Sequence, residues 1–170
     1  MLTQFVYSAL ASKGSTSEQA LADPFNKYIT LDSNFISTLL FLEGVMGDSH
    51  TITRDRMGRD IAFLCRIYDY GWSLEPRGIS VDEETALLID THGTATVVGT
   101  RSVYFLQAPG APEVCKSDYP LTYRNIGVYR INAQTGSYNL WSWLGHNGSE
   151  YNISAINGVL VSDQSNLSPY

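Results

Sequence analysis

The chain has 170 residues, 44% of them hydrophobic, and a formal net charge of −6. That size and apolar content suit one globular domain with a real core, or a domain plus a tail. No apolar run is long enough to cross a bilayer as a helix, so a membrane protein is not expected. The acidic balance argues against general nucleic-acid binding, which needs a clustered basic surface.

In chain order, the segment LTQFVYSALASKG reads as a helix, with Phe5, Val6 and Leu10 at helical spacing and Lys13-Gly14 as its stop. STSEQALADPFNKY is polar and then turn-like. NFISTLLFLEGVMGDSH reads as a short helix leading into a strand, punctuated by Gly44 and Gly47. From Thr51 the pattern becomes helical: Met57, Ile61 and Leu64 form an apolar stripe, and Asp55 and Arg59 stand at i, i+4. RGISV reads as a buried strand, followed by the acidic turn Asp82-Glu83-Glu84. A hairpin over TALLID and TATVVG follows, turning at Thr91-His92-Gly93, and then a further strand. The Pro-rich loop APGAPEVCKSDYP precedes the strand LTYRNIGVYRI. Residues 132–170 are rich in Gly, Ser and Asn with β character. The expected class is α/β, in a main part over 1–131 and a β-rich C-terminal extension over 132–170.

Two cysteines allow one disulfide or two buried thiols; Cys65, in an apolar helical stretch, reads as a plain core thiol. Asn147-Gly-Ser, Asn152-Ile-Ser and Asn166-Leu-Ser match the N-glycosylation pattern, a hint of secretion. Met1-Leu-Thr-Gln lacks the basic start of a signal peptide, so either the protein is intracellular or its original N-terminus lies elsewhere.

The candidate chemistry centres on His50, placed where a strand hands over to a helix. A lone histidine there is usually a packing or capping residue. Its company raises it above that: Asp48 lies two residues before it, and Arg54, Arg56 and Arg59 follow. On a helix Arg56 and Arg59 share one face and Arg54 lies on another, so one side could address a carboxylate near the site and the other make a structural ion pair. Arginine suits a planar, bidentate grip on a carboxylate, and a solvated face is the plain alternative. One of Asp82, Glu83 and Glu84 could orient the histidine and stabilise its charged form, as the acid of a triad does. A competing reading takes Asp48-Ser-His50 and Asp90-Thr-His92 as ligands for zinc or manganese. That pattern is short, and Asp90-Thr-His-Gly also fits a hairpin turn. No Gly-x-Ser-x-Gly elbow occurs in the chain. A base and an acid are visible, but no nucleophile.

Two segments carry a resemblance. DSHTITRDRMGR resembles the Asp-x-His-Phe-x-x-Arg-x-Arg-x-x-Arg segment of the cyanophycinase-like serine peptidases, relatives of aspartyl dipeptidase. GISVDEETALLID resembles their Gly-Ile-x-Ile-Asp-Glu-x-Thr-Ala-Leu segment. EQALADPF and LTYRNIGVYRI are weaker flanking matches, so the likeness covers most of residues 1–131.

The resemblance implies part of a sandwich of the class I glutamine-amidotransferase type, flavodoxin-like, with no cofactor and no metal. It implies an aspartyl-containing peptide, including β-aspartyl-arginine, as substrate, and is compatible with a homodimer. His50 would be the base and Glu83 the acid, with Asp48, Ser49, Arg54, Arg56 and Arg59 in or beside the substrate pocket. The family's nucleophile sits in a Gly-Thr-Ser-Ala-Gly-Ala elbow followed at once by a helix. MLTQFVYSALASKG resembles that helix, so the serine is expected just upstream of Met1. Ser49 stands where cyanophycinases proper tend to have glutamine, and Thr51 replaces an aromatic, so a preference for cyanophycin does not follow. Two other readings remain: a non-catalytic secreted binding protein on the same scaffold, and a metal-dependent hydrolase.

Overall fold

The computed structural model describes residues 3–9, 14–33 and 39–170. Its centre is a six-stranded sheet in the order β12-β11-β8-β7-β4-β3. In chain order these are β3 (Val45–Ser49), β4 (Arg77–Val81), β7 (Ser102–Gln107), β8 (Tyr123–Asn132), β11 (Ser149–Ile156) and β12 (Val159–Ser162). β3 and β4 are parallel and the other pairs in this sheet are antiparallel. A four-stranded sheet, β10-β9-β6-β5, is built from β5 (Thr85–Ile89), β6 (Thr94–Gly99), β9 (Ser137–Asn139) and β10 (Leu144–His146). The helices are α1 (Ser17–Ala22) and α2 (Met57–Asp69). The architecture is mixed α/β, with sheet outweighing helix.

Strand alternation separates two cores. In β7, Tyr104 and Leu106 join the cluster around α2, whereas Val103 and Phe105 join the cluster shared with the four-stranded sheet. Successive side chains of a strand point to opposite faces, so one buried strand serves both layers. The expected stripe of α2 is deep in the first core: Met57, Ile61 and Leu64 are at most 1% exposed. Gly58 is required there, because a Cβ at this position would come within 2.7 Å of Leu21 and 2.8 Å of Ser17 on α1.

The N-terminal segment departs from expectation. Val6–Ala9 forms β1, antiparallel to β2 (Ile29–Asp32), and Phe5 bridges Met46 of β3 in parallel. The helical spacing of Phe5, Val6 and Leu10 is outweighed by aromatic and β-branched residues that fit a pleated surface. Tyr7 stacks on Phe63 with ring centroids 4.9 Å apart. Leu10 to Lys13 lie outside the described residues. The match to a helix following a nucleophile is therefore lost. The polar start of the next stretch is helical, and the turn-like part follows at residues 24–28: Thr16 accepts from the Gln19 N–H and the Gln19 side chain accepts from the Thr16 N–H, a capping box that starts α1.

Further on, the 3₁₀ turn Leu40–Leu42 leads into β3, and the β4, β5–β6 and β7 segments are strands as expected. Part of the short helix expected before Leu39 falls on residues outside those described. The extension after Asn132 is woven into both sheets: β9 and β10 continue one and β11 and β12 the other. Tyr138 and Trp143 are buried, at 3% and 5%, while Trp141 is exposed. Among the described residues no helix is long and apolar enough to cross a membrane.

Cys65 is not a free thiol. It is bonded to Cys115, with Cα atoms 6.1 Å apart, which ties α2 to the Pro-rich loop across 50 positions of sequence. A cross-link of that span stabilises mainly by limiting the unfolded chain, typically by 2–4 kcal/mol. Cys115→Ser should therefore lower the unfolding free energy by about 2–4 kcal/mol. Coincident urea curves for the variant and the parent would contradict this.

Candidate active site

The parallel register builds the site. Asp48 lies opposite Ser80 and Ser49 opposite Val81, so β3 and β4 end side by side. His50 follows β3 directly, with φ +56°, and Glu83 lies two residues past β4. The His50 Nδ1 is 3.3 Å from Glu83 Oε1, with the side chains 35% and 46% exposed. The pair is in ion-pair range but not aligned as a hydrogen bond, since no acceptor satisfies Nδ1. With Nδ1 facing the carboxylate, Nε2 is the nitrogen left to exchange a proton with a third group. Among the described residues no hydroxyl or thiol is hydrogen-bonded to the ring.

The three acidic candidates separate clearly. Asp82 is 4% exposed and fully engaged: Oδ1 accepts from the Ile52 N–H at 2.9 Å, and Oδ2 from the Ser102 N–H and the Tyr104 hydroxyl, each at 3.2 Å. Burial and the Asp82 charge push the Tyr104 phenol well above its ordinary pKa, keeping it a donor. Glu84 accepts from the Thr100 hydroxyl at 3.3 Å. Glu83 alone of the three faces His50. Asp82 instead pins the His50–Arg56 loop to the end of β4.

The structure separates Arg56 and Arg59, which share one carboxylate, from Arg54. Arg59 is 4% exposed and grips Asp48 with two bonds of 2.6 Å, from Nε to Oδ2 and from Nη2 to Oδ1. It also lies over the Tyr7 ring at 4.9 Å. Arg56 donates to Asp48 Oδ1 at 3.3 Å and to the Ser49 carbonyl at 2.6 Å. Both therefore face inward on Asp48, a structural clamp beneath the His50 loop. Asp55 does not pair with Arg59; it precedes α2 with φ +47° and accepts from the Tyr170 hydroxyl. Arg54 is exposed, and among the described residues none pairs with its guanidinium.

The metal reading fits poorly with this geometry. Asp48 is saturated by two guanidinium groups, and Asp90 accepts from the His92 and Thr94 N–H groups in an exposed hairpin turn. Among the described residues no group of three or more His, Cys, Asp or Glu side chains could hold an ion.

Sequence reasoning did not pick out Asp60, which is buried at 4% exposure on the first turn of α2. Ser80 donates to its Oδ2 at 2.5 Å, while no donor reaches Oδ1. Desolvation, and then the neighbouring Asp48 charge, raise its pKa well above the usual carboxylate range. A proton on Oδ1 would turn the repulsion from Asp48 into a hydrogen bond. Because the folded value is raised, Asp60 contributes stability below its unfolded pKa of about 3.9 that is lost as pH rises through the folded value. Asp60→Asn should remove that decline. Parallel pH–stability curves for parent and variant from pH 4 upward would contradict the assignment.

A cavity of about 380 Å³ is lined by sequence neighbours of the pair, though by neither His50 nor Glu83. Its wall includes Ser49, directly before His50, and Val81 and Thr85, which bracket Glu83 two positions to either side; Leu42, Leu87 and Ile89 complete an apolar lining. Comparison of the sequence with protein-family models finds no match, and none of the curated proteins matches it.

Proposed function

We propose that the chain supplies the base and the acid of a cyanophycinase-like serine peptidase, acting on aspartyl peptides. The observation that carries the reading is the His50–Glu83 pair, 3.3 Å apart at the adjacent ends of two parallel strands. The likeness of the DSHTITRDRMGR and GISVDEETALLID segments to that family supports it. In this reading β3, α2 and β4 belong to a glutamine-amidotransferase-like sandwich.

His50 Nε2 takes the proton of a serine hydroxyl as the oxygen attacks the peptide carbonyl, then returns it to the leaving amine. Glu83 orients the ring and stabilises its charged form. In this reading the nucleophile lies outside these 170 residues, since their sequence has no Gly-x-Ser-x-Gly elbow. With Arg56 and Arg59 committed to Asp48, recognition of a substrate carboxylate falls to Arg54. The apolar cavity beside Ser49 gives room for the rest of the peptide.

A fluorophosphonate probe and an aspartyl dipeptide test this on the protein extended upstream. The expected result is one labelled serine outside residues 1–170, with dipeptide hydrolysis that labelling eliminates. A labelled serine within the 170 residues, or hydrolysis that survives labelling, overturns it.

A further inference from the structure

We infer that Asn147 and Asn166 are N-glycosylated and that Asn152, which has the same local pattern, is not. The inference is independent of the peptidase reading.

Three Asn-x-Ser patterns fall within the last 24 positions, 147–170, and the side chains are exposed at all three asparagines. Exposure alone does not mark a glycan, because asparagine is also a turn residue. At Asn147 the turn explains part of the pattern: φ is +57°, a conformation asparagine tolerates well, between β10 and β11. It does not explain Ser149, which is exposed and whose hydroxyl makes no recorded hydrogen bond among the described residues. Yet a hydroxyl two residues on is the feature the transfer reaction needs. Gly148, between them, would meet the Tyr129 ring at 2.4 Å if it carried a Cβ. The turn is thus held by Gly148 and Tyr129, and Asn147 and Ser149 are left without a packing role.

Asn166 lies in the exposed segment after β12. Its Oδ1 accepts from the Ser168 N–H at 3.0 Å, a local turn that brings the amide and the hydroxyl-bearing residue together; the Ser168 hydroxyl oxygen accepts from the Tyr170 N–H at 3.1 Å, and among the described residues no acceptor takes the hydroxyl proton or the Asn166 Nδ2 hydrogens. Asn152 is differently placed. It lies within β11, between β8 and β12, and its Nδ2 donates to Asp163 Oδ2 at 2.9 Å while its N–H donates to Asp163 Oδ1 at 2.8 Å. Those bonds help hold Asp163 below the usual carboxylate range. A glycan on Asn152 would replace one of the two Nδ2 hydrogens in a paired strand.

The second, independent observation is the Cys65–Cys115 disulfide. Disulfides persist in oxidising compartments, the secretory lumen among them, where glycan transfer also takes place. In the transfer, Nδ2 bonds to the anomeric carbon of an oligosaccharide carried on a polyprenyl pyrophosphate. The pyrophosphate leaves with the bonding electrons of the broken C–O bond, and the amide nitrogen loses one proton.

The test is expression behind a secretory leader in a eukaryotic host, with site mapping by glycosidase treatment in heavy-oxygen water. Intracellular and secreted fractions are both mapped, so retention of a poorly folding variant still gives an answer. The expected result is two glycans, with Asn147→Gln and Asn166→Gln each removing one and Asn152→Gln removing none. A glycan on Asn152, or an unmodified Asn147 or Asn166 in chains whose cysteines are oxidised, overturns the inference.

Discussion

Replacing His50 by alanine in the protein extended to include its nucleophile should cut hydrolysis of an aspartyl dipeptide by about a million-fold, because triad members act as a unit. Without the imidazole, the serine has no group to take its proton, and the leaving amine has none to supply one. Glu83→Gln should cost less, about 10²–10⁴-fold, since it removes charge and orientation but leaves the base in place. Glu83 is 46% exposed, so solvent screens its charge and favours the lower end. The order of the two effects is the diagnostic part. Steady-state kcat/KM for the two variants checks it. A His50→Ala enzyme within ten-fold of the parent removes His50 from the chemistry, and a Glu83→Gln loss equal to that of His50→Ala removes the assignment of roles.

The largest loss of stability should come from Asp48→Ala. Asp48 neutralises Arg59, which is 4% exposed, and also binds Arg56. Removing one partner of a buried pair leaves the other charge desolvated and unpaired, at a cost of about 3–5 kcal/mol. Relief of the repulsion on Asp60 offsets a part of this. Arg54→Ala, on the exposed side of the same segment, should change stability by less than about 0.5 kcal/mol. Urea unfolding of both variants measures the contrast. Similar small losses for both would mean that the buried clamp does not hold the loop.

Much of the sheet was legible because its period is simple. RGISV, TALLID, TATVVG and LTYRNIGVYRI all show apolar residues on a two-residue or continuous pattern, and all are strands. The stripe Met57, Ile61, Leu64 likewise fixed α2. The N-terminal segment failed because Phe5, Val6 and Leu10 satisfy a helical period, while the strand Val6–Ala9 is settled by a partner distant in sequence, Ile29–Asp32. α1 was missed although its capping box, Thr16 to Gln19, was present to be read.

In the site, position was legible and partnership was not. The sequence placed His50 and the acidic run at strand ends. Which carboxylate faces the ring depends on register across 30 or more residues, and Asp82 differs from Glu83 only in the side of the chain it leaves. Which of the arginines turns inward on Asp48 was not legible, because burial is invisible in a charged run. Cys115, in a polar loop, gave no sign that it reaches the α2 core.

The parallel pairing of β3 with β4 ties the fate of the acid–base couple to that of the hydrophobic layers. If β4 slid by one residue against β3, the residue beside His50 would change from Glu83 to a neighbour. The same slip would turn Ile79 and Val81 from the inter-sheet core toward α2 and bring Gly78 and Ser80 into their place. Misalignment of the couple is therefore as costly as mispacking a core strand. Heating or denaturant should leave the two groups aligned until the sheet itself melts, so that loss of their alignment and loss of the fold follow one curve.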